Sequence, residues 1–202
     1  MPLDSLTLLV DIGNSTLSWE IDGCYTRVNI EEFQPNLLPQ HQSSSISCVA
    51  NHALIQYFSN PIIIKPFAYK GLIFDYNLEQ LGTDRFLGIV AGVEKYKQQD
   101  FMLIDMGTFV TIDSVKNNCH IDGGIAPGLL QLRQIHQFKG GDSQKSWKMG
   151  VENMLCDYIK KRCGEFQGKI LITGGNQQAV NIEQAEYCQN LVITGLKVLN
   201  EK

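Results

Sequence analysis

Residues 6–16 read LTLLVDIGNST and residues 101–108 read FMLIDMGT. In each, an apolar run ends in Asp-x-Gly followed by small hydroxyl or amide side chains, which predicts a strand entering a tight turn. A glycine there lets backbone N–H groups approach an anion closely. The aspartate cannot face a phosphate directly, because like charges repel. It can instead hold a hydrated divalent cation that neutralises the phosphates. Alone, Asp11-Ile12-Gly13-Asn14 is equally an ordinary hairpin turn. Its recurrence about ninety residues later decides the fold.

The surroundings of the two turns repeat as well. Leu17–Ile21 and Tyr25–Ile30 flank Asp22-Gly23, a strong hairpin signal, and Phe109–Val115 and His120–Ile121 flank Lys116-Asn117-Asn118. Each half therefore reads strand, Asp-x-Gly turn, strand, turn, strand, then helices. We expect an internally duplicated α/β protein, with one lobe over residues 1–100 and the other over 101–202. Glu31–Ser45 reads as irregular or weakly helical, with Ile46–Ala50 and Ile62–Lys65 as buried strands around a short helix. Arg85–Gln98, Leu129–Phe138 and Trp147–Arg162 have helical spacing. Lys169–Thr173 is a strand ending in Gly174-Gly175, and Leu191–Ile193 is a short strand before a last helix. Three glycine turns after buried strands suit a nucleotide held between two lobes.

Composition supports a packed domain: 44% of residues are hydrophobic and 19% charged. The net charge of -4 and the pI near 5.5 argue against a nucleic-acid partner. The most basic stretch, Lys160-Lys161-Arg162, ends a helix, where cations face the negative end of its dipole. Six cysteines show no C-x-x-C and no metal-ligand spacing. With no signal peptide and no apolar run near the ~20 residues of a membrane helix, a cytoplasmic protein without membrane contact is expected.

Two further segments carry alternatives. Gly82-Thr83-Asp84-Arg85 opens a helix, where Asp84 is a natural cap for early N–H groups. The same pair could bind a carboxylate through Arg85 while Asp84 accepts a proton from an attacking hydroxyl. Gly123–Gly128 is either a loop joining hairpin to helix or a place where backbone approaches a ligand.

Taken together, DIGNST (11–16), LGTDRFLGIVAG (81–92), LIDMGTFVTIDSV (103–115), GIAPGL (124–129), GDSQKSWKMGV (141–151), ITGG (172–175) and LVITGL (191–196) resemble the type III pantothenate kinase, or Bvg accessory factor, family. These motifs run in family order over nearly the whole chain. The resemblance implies two ribonuclease H-like lobes of the actin-like ATPase superfamily, each a mixed sheet with flanking helices. It implies ATP-dependent phosphorylation of pantothenate on its 4′-hydroxyl, with Mg²⁺, K⁺ or NH₄⁺, and a homodimer. By position, Asp84 is the catalytic base, and Gly82, Thr83, Asp84, Arg85, Tyr76 and Ser143 bind substrate. Asp11, Ile12, Gly13, Asn14, Ser15, Thr16, Leu17, Ser18 and Thr108 lie by the nucleotide. Asp11 holds Mg²⁺ through water, and Asp105 sits by the monovalent cation.

The chain departs from the family pattern at four places. Ser18 stands where the family often has Lys. Asp75 takes the place of its substrate-binding Tyr, with Tyr76 one residue on. Asp122 replaces the start of a Gly-Gly pair, and the stretch between Leu132 and Gly140 is short. Two rival expectations follow: a nucleotide-binding regulator of the same fold without turnover, or a kinase of another carboxylate-bearing alcohol.

Overall fold

The computed structural model describes residues 6–136 and 138–201, and the chain divides into two compact units. One holds the chain up to Gly71, Tyr76–Lys95 and the segment from Asn190. The other holds Leu72–Asp75 and Tyr96–Gln189.

In the first unit, β1 (Thr7–Ile12), β2 (Thr16–Ile21) and β3 (Cys24–Asn29) form an antiparallel meander, and β4 (Ser43–Cys48) and β5 (Pro61–Ile63) add in parallel beyond β1. The strand order is β3-β2-β1-β4-β5. Asp22 and Gly23 both adopt positive φ, 48° and 80°, as the two-residue turn between β2 and β3 requires. Leu8, Val10 and Ile12 alternate onto one face of β1 and pack with Leu17, Trp19 and Ile46. Helices α1 (Thr83–Tyr96) and α4 (Leu191–Asn200) belong to the same unit. At their crossing a Cβ on Gly195 would run into the Leu87 backbone, so the glycine sets the approach.

The second unit repeats this plan. β7 (Phe101–Met106), β8 (Phe109–Lys116) and β9 (Cys119–Pro127) form the meander, with β10 (Lys169–Thr173) and β11 (Ala185–Tyr187) parallel beyond β7. The two-residue β6 (Ile73–Phe74) pairs with β9, giving the order β11-β10-β7-β8-β9-β6. Thus β3-β2-β1-β4-β5 recurs as β9-β8-β7-β10-β11, and the duplication expected from the two Asp-x-Gly turns is present as pairing topology. Helix α2 (Leu129–Gln134) precedes the long α3 (Gly141–Gly164), whose Val151, Leu155, Ile159 and Cys163 form one buried stripe.

Several expectations are corrected. Ser43–Ser45, read as irregular, begins β4; two of its serines place their hydroxyls in hydrogen bonds, Ser43 with Thr7 and Ser44 to the Ser59 carbonyl, which eases their place in the strand. The strand expected buried over Ile62–Lys65 is the exposed edge β5. Gly123–Pro127, read as loop, is strand paired with β8. α3 starts at Gly141 rather than Trp147, after Gly140 and Gly141 turn the chain at positive φ. Leu191–Ile193, read as strand, is the first turn of α4, whose apolar residues pack on β1 and β4. A single cut at residue 100 assigns α4 to the second lobe, whereas its contacts place it in the first unit.

Candidate active site

In the first unit, parallel β1 and β4 end side by side, and their carboxyl ends build the site, as in other open α/β sheets. The turn after β1 closes through the Gly13 N–H donating to the Thr16 carbonyl at 3.0 Å. From the turn after β4, Val49 N–H donates to the Ile12 carbonyl at 3.2 Å. Asn51, in left-handed conformation at φ 53°, donates its amide to the carbonyls of Gly13 and Asn14 at 2.8 and 3.2 Å. With those carbonyls turned toward Asn51, Asn14 and Ser15 form the exposed tip of the turn. Ile12 and Leu17 are both 0% exposed and support the turn from within the core. Ser18 is buried within β2.

The third strand of that meander reaches back to the turn. Arg27 donates through Nη2 to Thr16 Oγ1 at 3.3 Å. Neither Asn51 nor Arg27 was singled out from sequence. The signal for Asn51 is an asparagine just past a buried strand, the residue type most at home in left-handed backbone.

Gly82 stands beside the same turns. A Cβ built on it would meet Asp84 Oδ1 at 2.5 Å and Val49 Cγ1 at 3.9 Å. The glycine therefore makes room for the Asp84 carboxylate on the flank of the turn after β4. Asp84 Oδ1 accepts the Arg85 N–H at 2.7 Å, which realises the capping alternative and fixes the carboxylate at the α1 N-terminus. Thr83 Oγ1 donates to the Ile64 carbonyl at 3.3 Å and pins the helix start. The Arg85 guanidinium lies 5.4 Å from the Tyr76 ring centroid, and Arg85 is only 7% exposed. Tyr76 thus joins Gly82–Arg85, while the backbone N–H of Asp75 is bonded to the His120 carbonyl of the second unit's β9 edge.

The second unit builds the corresponding turn from backbone. Gly107 N–H donates to the Phe109 carbonyl at 3.1 Å, and a Cβ built on Gly107 would come within 3.4 Å of Asp105 Oδ1. Gly128 N–H donates to the Thr108 carbonyl at 2.9 Å, and a Cβ there would collide with the carbonyl oxygens of Gly107 and Thr108. On the other side Gly174, at φ 97°, abuts Asp105 Oδ1 and the Met106 backbone, and Asn176 N–H donates to the Met106 carbonyl at 3.0 Å. The Gly-Gly turn after β10 and the glycine ending the 123–128 segment therefore meet at Asp105–Thr108. Ser143 belongs to this unit, exposed in the first turn of α3.

An acidic turn at the carboxyl end of a sheet strand suits phosphate binding, and a carboxylate fixed at a helix start beside the turn after β4 suits proton abstraction. Residues 40–138 match the family model described as type III pantothenate kinase. A type III pantothenate kinase from Cellvibrio japonicus (strain Ueda107) is 28% identical, with 96% of each chain covered. The chain is similar to the type III pantothenate kinase family over nearly its whole length. Among solved structures, a conserved Baf family protein from Campylobacter jejuni matches it with a TM-score of 0.67 and 24% identity, over 96% of this chain and 98% of that one. An apo pSK41 ParM protein matches with a TM-score of 0.51 and 10% identity, over 97% of each chain. At such identities the likeness speaks for the fold alone, an α/β plan of two mixed sheets each flanked by helices. Gly82–Arg85 and the Asp105–Thr108 turn both fall inside the residues that match the family model.

Proposed function

We propose that the protein transfers the γ-phosphoryl group of ATP to the 4′-hydroxyl of pantothenate, the first step towards coenzyme A. The observation that carries this reading is the Asp84 carboxylate, held at the start of α1 where Gly82 leaves room for it beside the turn after β4. Asp84 takes the hydroxyl proton as the hydroxyl oxygen attacks the γ-phosphorus. A new P–O bond forms, the bond from the γ-phosphorus to the bridging oxygen breaks, and ADP leaves with that electron pair. Arg85 and Tyr76 bind the substrate, together with Gly82 and Thr83, and Ser143 reaches it across a homodimer. The turns at Asp11–Ser18 and Asp105–Thr108 receive the nucleotide.

Among the described residues no three His, Cys, Asp or Glu side chains gather as a metal cage. A lone carboxylate such as Asp11 fits Mg²⁺, which keeps several waters and is completed by substrate phosphates. When bound, the ion neutralises phosphate charge; K⁺ or NH₄⁺ would lie by Asp105. No helix among the described residues is long and apolar enough to cross a membrane, in keeping with a cytoplasmic enzyme. Ile125, Leu130, Ile135 and Met154 of the second lobe are exposed apolar residues, of the kind a homodimer contact would cover.

Coupled ATP turnover, with and without pantothenate, in Mg²⁺ with K⁺ or Na⁺, tests the reading. Turnover that requires both pantothenate and K⁺ is expected. Turnover indifferent to pantothenate would point to another alcohol, and nucleotide binding without turnover to a regulator.

A further inference from the structure

No residue between Asp11 and Ser18 carries a positive charge, although the turn they form is the one proposed to receive phosphates. A cation reaches it from the neighbouring strand. Arg27 pairs directly with Ser18 across β2 and β3, so its side chain leaves the sheet on the same face as Thr16 and Ser18. Its guanidinium is drawn to the end of the turn by the 3.3 Å bond to Thr16 Oγ1. Arg27 is exposed, and so are Cys24 and Thr26 on the same strand, so core packing does not dictate this direction. A guanidinium offers five donors in a planar fork, and the bond to Thr16 occupies one. The rest suit paired contacts to phosphate oxygens.

We infer that Arg27 is the phosphate-binding cation of the first turn, aimed by Thr16 and offsetting the charge that Asp11 brings to the same place. This rests on the proposed kinase reading and deepens it by naming a nucleotide contact on β3. The test compares Arg27→Gln and Arg27→Lys with the parent protein, using calorimetry with ATP and ADP and steady-state KM values for ATP and pantothenate. In Arg27→Gln the Kd for both nucleotides and the KM for ATP should rise roughly tenfold, the scale of one lost charge-assisted hydrogen bond. The KM for pantothenate and the Tm should hold, and Arg27→Lys should recover part of the loss. Unchanged nucleotide affinity in Arg27→Gln overturns the inference while parent turnover leaves the kinase reading standing. Weakening of pantothenate KM and Tm alongside ATP also overturns it, since that marks a structural role. A parent that never phosphorylates pantothenate, yet loses ATP affinity in Arg27→Gln, removes the kinase reading and upholds the role of Arg27.

Discussion

The two Asp-x-Gly turns occupy equivalent places in equivalent sheets, yet they are held by different means. The first is clasped by a side chain, the Asn51 amide on the Gly13 and Asn14 carbonyls. The second is wedged between backbones, with Gly128 on one side and Gly174 on the other, and no space for a Cβ at either. A side-chain clasp can be loosened or replaced at modest cost, whereas a backbone wedge admits one residue type. The difference separates the turn that shares its unit with the proposed base from the turn that serves as a fixed seat.

The largest expected effect tests whether chemistry belongs with the first turn. Asp84→Asn should lower kcat by the ~10²–10⁴-fold typical of a lost general base, about 3–5 kcal/mol of barrier, with ATP binding intact. Equal rates would take Asp84 out of the mechanism and leave the contrast between the turns without a functional meaning. Next comes Gly174→Ala, which forces an L side chain to φ 97° and against Asp105 and the Met106 backbone. A loss of about 3 kcal/mol in denaturant unfolding is expected. Asn51→Ala should cost less, about 1 kcal/mol for an exposed amide whose carbonyl partners can turn to water, and should show mainly as a higher KM for ATP. If it destabilises the protein as much as Gly174→Ala does, the distinction between clasp and wedge is wrong.

The smallest effect concerns neither turn directly and separates the site from its scaffold. Burial raises the thiol pKa of Cys48 and Cys163, with Asp11 adding to the rise at Cys48 and Arg162 opposing it at Cys163. Burial also raises the phenols of Tyr69 and Tyr96, helped by Glu94 and Glu186 respectively. A folded-state pKa above the unfolded one gives stability that is whole below the unfolded value and is lost as pH rises past it. Stability should therefore hold flat through neutral pH and fall in alkali. At neutral pH an alkylating reagent should label exposed Cys24 well before Cys48 or Cys163, as peptide mapping would read.

Much of this was legible beforehand because local signals and tertiary structure agree. Apolar runs into Asp-x-Gly, the Asp22-Gly23 turn and the spacing of α1 each point to the element that forms. Where they disagree, packing prevails. Ser43-Ser44-Ser45 reads as loop until Thr7 and the Ser59 carbonyl take up hydroxyls in a buried parallel strand. Gly123-Gly124 reads as turn until β8 supplies a partner. Leu191-Val192-Ile193 has strand chemistry, but a helix buries it against β1 and β4. At the site, motif residues were visible as types in sequence, whereas Asn51 acts through a conformation and Arg27 through a cross-strand register. Both depend on long-range pairing that no short window carries.

The return of α4 to the first unit has a consequence for how the chain is made. The sheet nearest the N-terminus leaves the ribosome early, but the helix that covers part of it, from Leu191, is synthesised some 180 residues after β1 begins. The second unit, nearly continuous in sequence, has all its strands sooner. Synthesis order and completion order are thus reversed, and until α4 arrives the face of the first sheet that carries Leu9 and Glu20 lacks that helix, and Glu20 lacks its Lys197 partner.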